Sequence, residues 1–348
     1  MTRASTNILF RWLINVERLT LLYMTIRPLD LLDIPILARY RNDVLTLDNA
    51  RALTRGHPLG AMGLLAYVNP VRHIYAAIIN GTSDVLLGGI IHTRGEPYAK
   101  LLYLAPGSHL EHPELTALIE HLSVEAGNWK AFHVLAEVNE SSAAFPALRM
   151  AGFSVYAWQR MWDVSKGGGA PLEKTESNQT RRSDGALLAH RFEGSGWRRM
   201  RSVDLPAVQS LHYQIVPPLL HPVEPAPNRE MGFVYSESMK CHVSVTAGAY
   251  GIVLMPLIHP EEKNVSEKLA RLVNNFPDRN GRPVYFCVRS YQTWLEPVLE
   301  DLGASVAPRQ AVMVKHLAHL VKAGQSVRAV PSSVTVQPSQ ISRMDVDE

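Results

Sequence analysis

The 348-residue sequence has only two cysteines, Cys241 and Cys287, far apart and outside any CxxC spacing. That excludes a disulfide framework and a dithiol redox motif, and makes a reducing cytoplasm the expected compartment. An excess of either charge is lacking as well. Thirty-five Lys and Arg against 32 Asp and Glu leave +3, dispersed along the chain, so nothing argues for a nucleic-acid or membrane partner. No apolar run reaches the ~20 residues a membrane span needs. Residues 8–23 come nearest, but Arg11, Glu17 and Arg18 interrupt them. A signal peptide would need an unbroken apolar stretch and a small-residue cleavage site, and neither is there. The segment reads either as a short amphipathic helix or as an extension, residues 1–23, outside a fold that starts at Met24.

What is present is an ordinary globular composition, 46% hydrophobic and 19% charged, in a chain too long for one core. Residues 26–29 read as a strand, with Asp30 and Asp33 at a helix N-cap and Ile36, Leu37 and Tyr40 at helical spacing behind them. Strand signals follow at 74–80, 85–92 and 99–105, the first two joined across Asn80-Gly81-Thr82-Ser83 as a hairpin. Pro113 suits a first helical position. Leu115, Leu118, Ile119 and Leu122 then make one buried stripe, with Gly127-Asn128 as its end. A strand at 131–138, a short helix at 143–151 stopped by Gly152, and a long strand at 153–164 complete the unit. The order implies a mixed sheet with helices on its faces. Residues 165–190, with Gly167-Gly168-Gly169, read as a flexible linker, and 321–348 as a disordered tail.

The second half restarts like the first. Ile26-Arg27 followed by Asp33-Ile34-Pro35 is echoed by Trp197-Arg198 followed by Asp204-Leu205-Pro206, at the same arginine-to-aspartate spacing. Gly152-Phe153-Ser154-Val155 with Gln159 is echoed by Gly303-Ala304-Ser305-Val306 with Gln310. Strands ending in Pro106 and Pro260 each precede an amphipathic helix. These landmarks in one order mark a duplication: a unit at 24–164 and a shorter copy at 191–320.

The opening Thr25-Ile26-Arg27-Pro28-Leu29 with Asp33, the strand Leu101-Leu102-Tyr103-Leu104-Ala105-Pro106, and Leu148-Arg149-Met150-Ala151-Gly152-Phe153 resemble the GCN5-related N-acetyltransferase (GNAT) superfamily. The resemblance covers residues 24–164 well and 196–318 more weakly. It implies an α/β (α+β) fold of two tandem acetyltransferase-like units, each a mixed, mostly antiparallel sheet flanked by helices. It also implies acetyl-CoA or another acyl-CoA as co-substrate. The pantetheine arm would pair with a splayed strand, and the pyrophosphate would rest on the next helix's N-terminus, where free N–H groups favour an anion. An amine, of a small molecule or a peptide, would take the acyl group, expected to be acetyl.

Carried onto this sequence, the resemblance places the first cofactor site at Leu104, Ala105, His109, Leu110, His112 and Ser141, and the second at Ile258, Lys263, Asn264 and Ser266. Both depart from the family. Its loop arginine falls on His109 and Lys263. Its small loop positions fall on Leu110, His112 and Glu114, and on Asn264, Ser266 and Lys268, where side chains crowd a backbone that must approach phosphate. Its tyrosine acid falls on Leu148 and Leu299, which cannot donate a proton, so no catalytic residue is assigned. Lys263 and Lys268 make the second loop the better phosphate site, although Asn264 with Glu267 also fits a capping box.

Other readings are structural. His109 and His112, with His121 further along, show no third and fourth zinc ligand on the same side, so loop and cap roles are expected and no metal. Tyr103, Trp158, Trp162 and Cys287 fit core positions, and His133 and Glu137 fit a sheet surface beside Leu135. Two functions remain: an acyl-CoA-dependent N-acyltransferase with unusual loops, or a non-catalytic module serving as an acyl-CoA sensor or partner-binding scaffold.

Overall fold

The computed structural model describes residues 26–60, 72–80, 85–165, 195–230, 232–276 and 279–318. The expected N-terminal extension, the glycine triplet with nearly all of the linker, the hairpin turn at 81–84 and the tail lie outside the described residues.

The first repeat runs β1 (Ile26–Pro28), α1 (Ile34–Arg39), β2 (Leu45–Thr46), α2 (Asn49–Arg55), β3 (Arg72–Asn80), β4 (Val85–Thr93), β5 (Tyr98–Ala105), α3 (Leu115–Asn128), β6 (His133–Asn139), α4 (Ala144–Met150) and β7 (Ser154–Asp163). The second runs β8 (Trp197–Arg199), α5 (Leu205–Ile215), β9 (Phe233–Tyr235), β10 (Cys241–Ala247), β11 (Ile252–Ile258), α6 (Val265–Asn274), β12 (Val284–Arg289), α7 (Glu296–Asp301), β13 (Ser305–Val306) and β14 (Gln310–His316). Among the described residues, all fourteen strands join one sheet, β1-β3-β4-β5-β6-β14-β7-β12-β11-β10-β9-β8, with β2 on β5 and β13 on β7. Among the described residues only β5·β6 and β11·β12 are parallel. The mixed, mostly antiparallel sheet with flanking helices is therefore as expected.

The duplication is visible in bonds. Arg27 donates twice to Asp33, at 2.7 and 2.6 Å, and Arg198 twice to Asp204, at 2.6 and 2.7 Å. In both repeats the aspartate also accepts a backbone N–H three residues back, from Asp30 and Arg201. Asp33 and Asp204 stand at the N-caps of α1 and α5, Asp33 as read from the sequence, but their carboxylates serve the arginines and the turn and make no cap bond to the helix. The two short helices end alike. Gly152 and Gly303 take φ of +86° and +73°, and the next N–H in each case reaches back to Leu148 and Leu299. Only glycine adopts that turn without strain.

The repeats do not fold side by side; they exchange their last long strands. β7 pairs with β12 of the second repeat, and β14 pairs with β6 of the first. β7 and β14 also pair with each other, setting Gln159 opposite Gln310. Each core is completed by the other repeat's strand. Ala311 and Met313 enter the core under α3, and Trp162 and Val164 enter the core under α6. The stripe Leu115, Leu118, Ile119 and Leu122 is wholly buried, each residue contributing about 1.5–3 kcal/mol by leaving water. Tyr103 is buried as expected, against Gly89, where a Cβ would stand 2.4 Å from its ring.

One helix boundary is corrected, and the other stands at Asn128 as expected. α3 begins at Leu115, two residues beyond Pro113. It runs through Gly127 to cap at Trp129, and the chain turns at Lys130, with φ of 65°.

Candidate functional site

In each repeat the parallel pair starts as a ladder and then opens. β5 pairs with β6 over Tyr98–Lys100 only, and β11 with β12 over Ile252–Leu254 only. Beyond those points the paired strands separate, leaving a gap between their main-chain edges in each repeat.

The first gap is filled by the protein's own chain. Leu45 and Thr46 pair with Leu104 and Tyr103, and Leu47 N–H donates to the Leu102 carbonyl at 2.9 Å. On the other side Glu137 N–H donates to the Leu47 carbonyl at 2.8 Å, while the Leu47 side chain is buried in the core. The loop after β5 is also occupied. Asp43 accepts from the N–H of Gly107 (2.9 Å) through its carbonyl, and from the N–H and hydroxyl of Ser108 (3.0 and 2.6 Å) through its carboxylate. An anion thus already sits where the sequence led one to expect a phosphate.

Of the residues assigned to that site, Leu104 and Ala105 lie in β5, facing β2 and β4. His109 and His112 N–H bond within the loop, to Pro106 and His109 carbonyls. Leu110 packs into the core, and Ser141 is exposed in the turn before α4.

The second gap holds a side chain in place of a strand. Gln292, buried in the turn after β12, spans the splayed part of β11. In the amide orientation that satisfies both partners it donates to the Pro256 carbonyl at 3.0 Å and accepts from Ile258 N–H at 3.3 Å. In the loop that follows, Lys268 is taken up by Glu262 and by the Tyr235 ring, 4.3 Å away. Lys263 is exposed and outside every ion pair among the described residues. Asn264 stands in the left-handed region, φ of 56°, without a side-chain cap bond, and Glu267 pairs with Arg271. The expected capping box is absent. Ser266 lies half-buried in the first turn of α6.

Both gaps face a shared cavity of about 540 Å³, which periodicity could not reveal. Lys100, Leu135 and Glu137 line it from the first repeat, and His212, Met255 and Arg289 from the second. Glu224 is its electrostatic centre. It accepts from Tyr291 at 2.7 Å and Tyr156 at 3.2 Å, and pairs with Arg289 at 3.0 Å. Arg289 also binds Gln159, which donates to Gln310 at 3.0 Å. Asn49 joins Gln310 to Glu137, at 2.9 Å on each side. A continuous polar chain therefore crosses the seam where the strands are exchanged.

Burial pushes both tyrosines well above their ordinary pKa, with the Glu224 carboxylate adding to it and, at Tyr156, the Arg289 charge opposing it more strongly than Glu224 adds, so they stay protonated as donors to Glu224. Asp48, at 3.6 Å, and then Glu137 hold Lys100 charged against its burial. Burial pushes the Cys287 thiol up to about 12, leaving it an inert core residue, as expected. Burial, with His221 second, lowers His212 and keeps its imidazole neutral. Leu148 and Leu299, at the positions of the family's acid, are both fully buried in the cores. No three metal-binding side chains gather among the described residues, and no described helix is long and apolar enough to cross a membrane.

No family model and no curated protein matches the chain. Among solved structures it is similar to a GCN5-related N-acetyltransferase from Sphaerobacter thermophilus, with 13% identity, a TM-score of 0.48, and coverage of 84% of this chain and 96% of that one. A tandem GNAT protein from the clavulanic acid biosynthesis pathway gives 15%, 0.45, and coverage of 85% and 99%. A GNAT-family acetyltransferase from Colwellia psychrerythraea gives 11%, 0.40, and coverage of 84% and 100%. The strand order itself carries the conclusion on architecture: two repeats of one mixed, mostly antiparallel sheet flanked by helices, each with a splayed parallel pair, as the resemblance to the GNAT superfamily implied.

Proposed function

We propose that the protein is a GNAT-type N-acyltransferase in which the second repeat alone takes acyl-CoA and the first is architectural. The observation that carries this reading is the difference between the gaps: one is closed by main chain, the other by the single side chain of Gln292. Rotation of Gln292 would free the Pro256 carbonyl and the Ile258 N–H, the type of group that pairs with the amides of pantetheine. Lys263 and the start of α6 would hold the pyrophosphate. The acyl group, acetyl in the simplest case, would emerge at Met255–Leu257 in the shared cavity, where the amine is bound. Two buried thiols suit a reducing compartment such as the cytoplasm.

With no tyrosine at Leu299, catalysis would rest on positioning rather than on protonation of the leaving thiolate. Thermal shift with acetyl-CoA tests the assignment. A ligand at 100 times its Kd stabilises the fold by about 2.7 kcal/mol. Lys263→Glu should weaken the effect, and His109→Glu in the first repeat should not. No shift at millimolar acetyl-CoA would remove the proposal.

One observation favours the second reading, a non-catalytic module. The Gln292 amide satisfies both open groups of β11, just as a peptide-like ligand would. On that reading, acetyl-CoA binds weakly or not at all and no amine is acylated.

A further inference from the structure

Two histidines from different repeats meet on adjacent strands. His133 opens β6 and His316 closes β14, and the antiparallel register sets them directly opposite each other. Just past them the Leu317 N–H donates to the Phe132 carbonyl at 2.9 Å, so the backbone is held on both sides of the pair. The rings stand edge to face with centroids 4.8 Å apart, and their Nδ1 atoms lie 3.1 Å from each other. His133 is half-buried and His316 exposed, and solvent reaches the contact between them.

Two other histidine contacts are built differently. His73–His92 and His212–His221 keep their centroids 6.1 and 5.5 Å apart. One ring nitrogen in each is spent on a main-chain carbonyl, His92 Nε2 at Glu96 and His221 Nε2 at Val216. Of the three contacts, His133–His316 is the one that turns nitrogen to nitrogen.

A first-row divalent ion such as zinc holds an imidazole nitrogen at about 2.0–2.1 Å. Two such nitrogens then stand about 3.3 Å apart at a tetrahedral angle and about 2.9 Å apart at a right angle. The 3.1 Å between the Nδ1 atoms falls between these limits. A single proton shared by the rings fits that distance too. An ion takes its place when each ring turns to aim its lone pair at a common point. Donor chemistry narrows the choice of ion: imidazoles suit zinc, copper and nickel, whereas magnesium and calcium take oxygen ligands. With two protein ligands and water at the other positions, binding is weaker than at a four-ligand structural zinc.

We propose that His133 and His316 bind one divalent transition-metal ion through their Nδ1 atoms, and that this ion staples β14 of the second repeat to β6 of the first. The site lies at the strand exchange that completes the first core, and it is independent of the acyl-transfer reading. An ion held only by the folded chain stabilises it by mass action, so Tm rises with metal concentration.

Titration calorimetry of the untagged full chain, freed of metal by EDTA dialysis, tests it at pH 8, where free imidazole is neutral. Zn²⁺ and Ni²⁺ are the probes and Mg²⁺ is the control. One Zn²⁺ or Ni²⁺ binds per chain in the micromolar range, and Mg²⁺ does not bind. His133→Asn and His316→Asn each raise the Kd about tenfold or more, since loss of a ligand costs at least as much as loss of a group behind one. His73→Asn, away from the pair, leaves the Kd unchanged. Saturating Zn²⁺ raises the Tm of the parent chain and not that of His316→Asn, and this variant at the exposed end of β14 decides alone if His133→Asn does not fold. No binding at millimolar Zn²⁺ or Ni²⁺ overturns the proposal. Affinity that survives both substitutions overturns it too, by placing the ion elsewhere and leaving the pair a plain hydrogen bond.

Discussion

The two splayed pairs open after the same three rungs and are closed in different ways. In the first, a segment of main chain enters the gap, bonds to both edges and buries Leu47 at 1% exposure. In the second, one amide on a turn bridges two groups of a single edge. The difference is one of reversibility. Withdrawing the segment at 45–47 would break hydrogen bonds to β5 and β6, unseat Leu47 from the core and release Asp43 from Ser108. Withdrawing Gln292 takes a rotamer change and exposes two groups that a ligand can satisfy. A duplicated fold can thus hold one gap as structure and leave the other available.

The sharpest way to break this comparison is at Leu47. Leu47→Ala should lower stability by about 2–5 kcal/mol in denaturant unfolding, because a fully packed leucine leaves a cavity. A loss below about 1 kcal/mol would mean that the segment is a loose cover, with the first gap as accessible as the second. Gln292→Leu should cost less, about 1–3 kcal/mol, for leaving the Pro256 carbonyl and the Ile258 N–H unpaired. Millimolar acetyl-CoA should then raise the Tm of this variant more than that of the parent chain, since the ligand supplies the missing partners. If acetyl-CoA raises neither Tm, the second gap is as closed as the first.

These two plugs also show where the sequence was readable. Arg27–Asp33 and Arg198–Asp204 could be found by spacing, because a contact six residues apart is encoded locally. So could the α3 stripe and the glycines at 152 and 303, which a backbone turn requires. Leu45–Leu47 could not. So short a segment carries no period, and it is a strand only because distant residues, Leu102 to Leu104 and Glu137, meet it there. The strand exchange was hidden for a related reason. Alternation marks β7 and β14 as strands but says nothing about which neighbour each one takes. The equal spacing of Gln159 and Gln310 was legible, but their hydrogen bond across the seam was not. The cavity, with contributions from Leu47 to Val312, has no linear signature at all. The expected Asn264–Glu267 cap failed because a left-handed Asn264 cannot aim its side chain at the helix, so tertiary context overrode a local motif.

The repeats should respond equally where they are equivalent. Arg27→Ala and Arg198→Ala should each cost about 1–3 kcal/mol, by leaving Asp33 or Asp204 short of its charged partner. The arginine hydrogen bonds hold both carboxylates below their ordinary range. Their stabilisation is therefore complete above a pH of about 4 and lost as pH falls through the lowered folded-state values. Unfolding curves from pH 6 to pH 3 should lose the same part of their acid slope in each variant. A clear inequality would mean that one of the two bonds carries more of the fold than their matched geometry indicates.

The smallest effect tests the exchanged strand itself. At the end of β14, His316 Nδ1 stands 3.1 Å from His133 Nδ1 on β6, an arrangement that excludes a proton on both nitrogens. Burial, with His316 second, lowers the pKa of His133. A folded-state value below the unfolded one gives stability that is complete above about pH 6.5 and declines as pH falls through the lowered value. Both rings are partly exposed, so the change should stay under about 1 kcal/mol. Comparing Tm at pH 8 and pH 5 for the parent chain and His316→Ala measures it, and the variant should lose less on acidification. Equal losses would show that the end of β14 is held to β6 by its backbone ladder alone, and that the exchange needs nothing from the histidine pair.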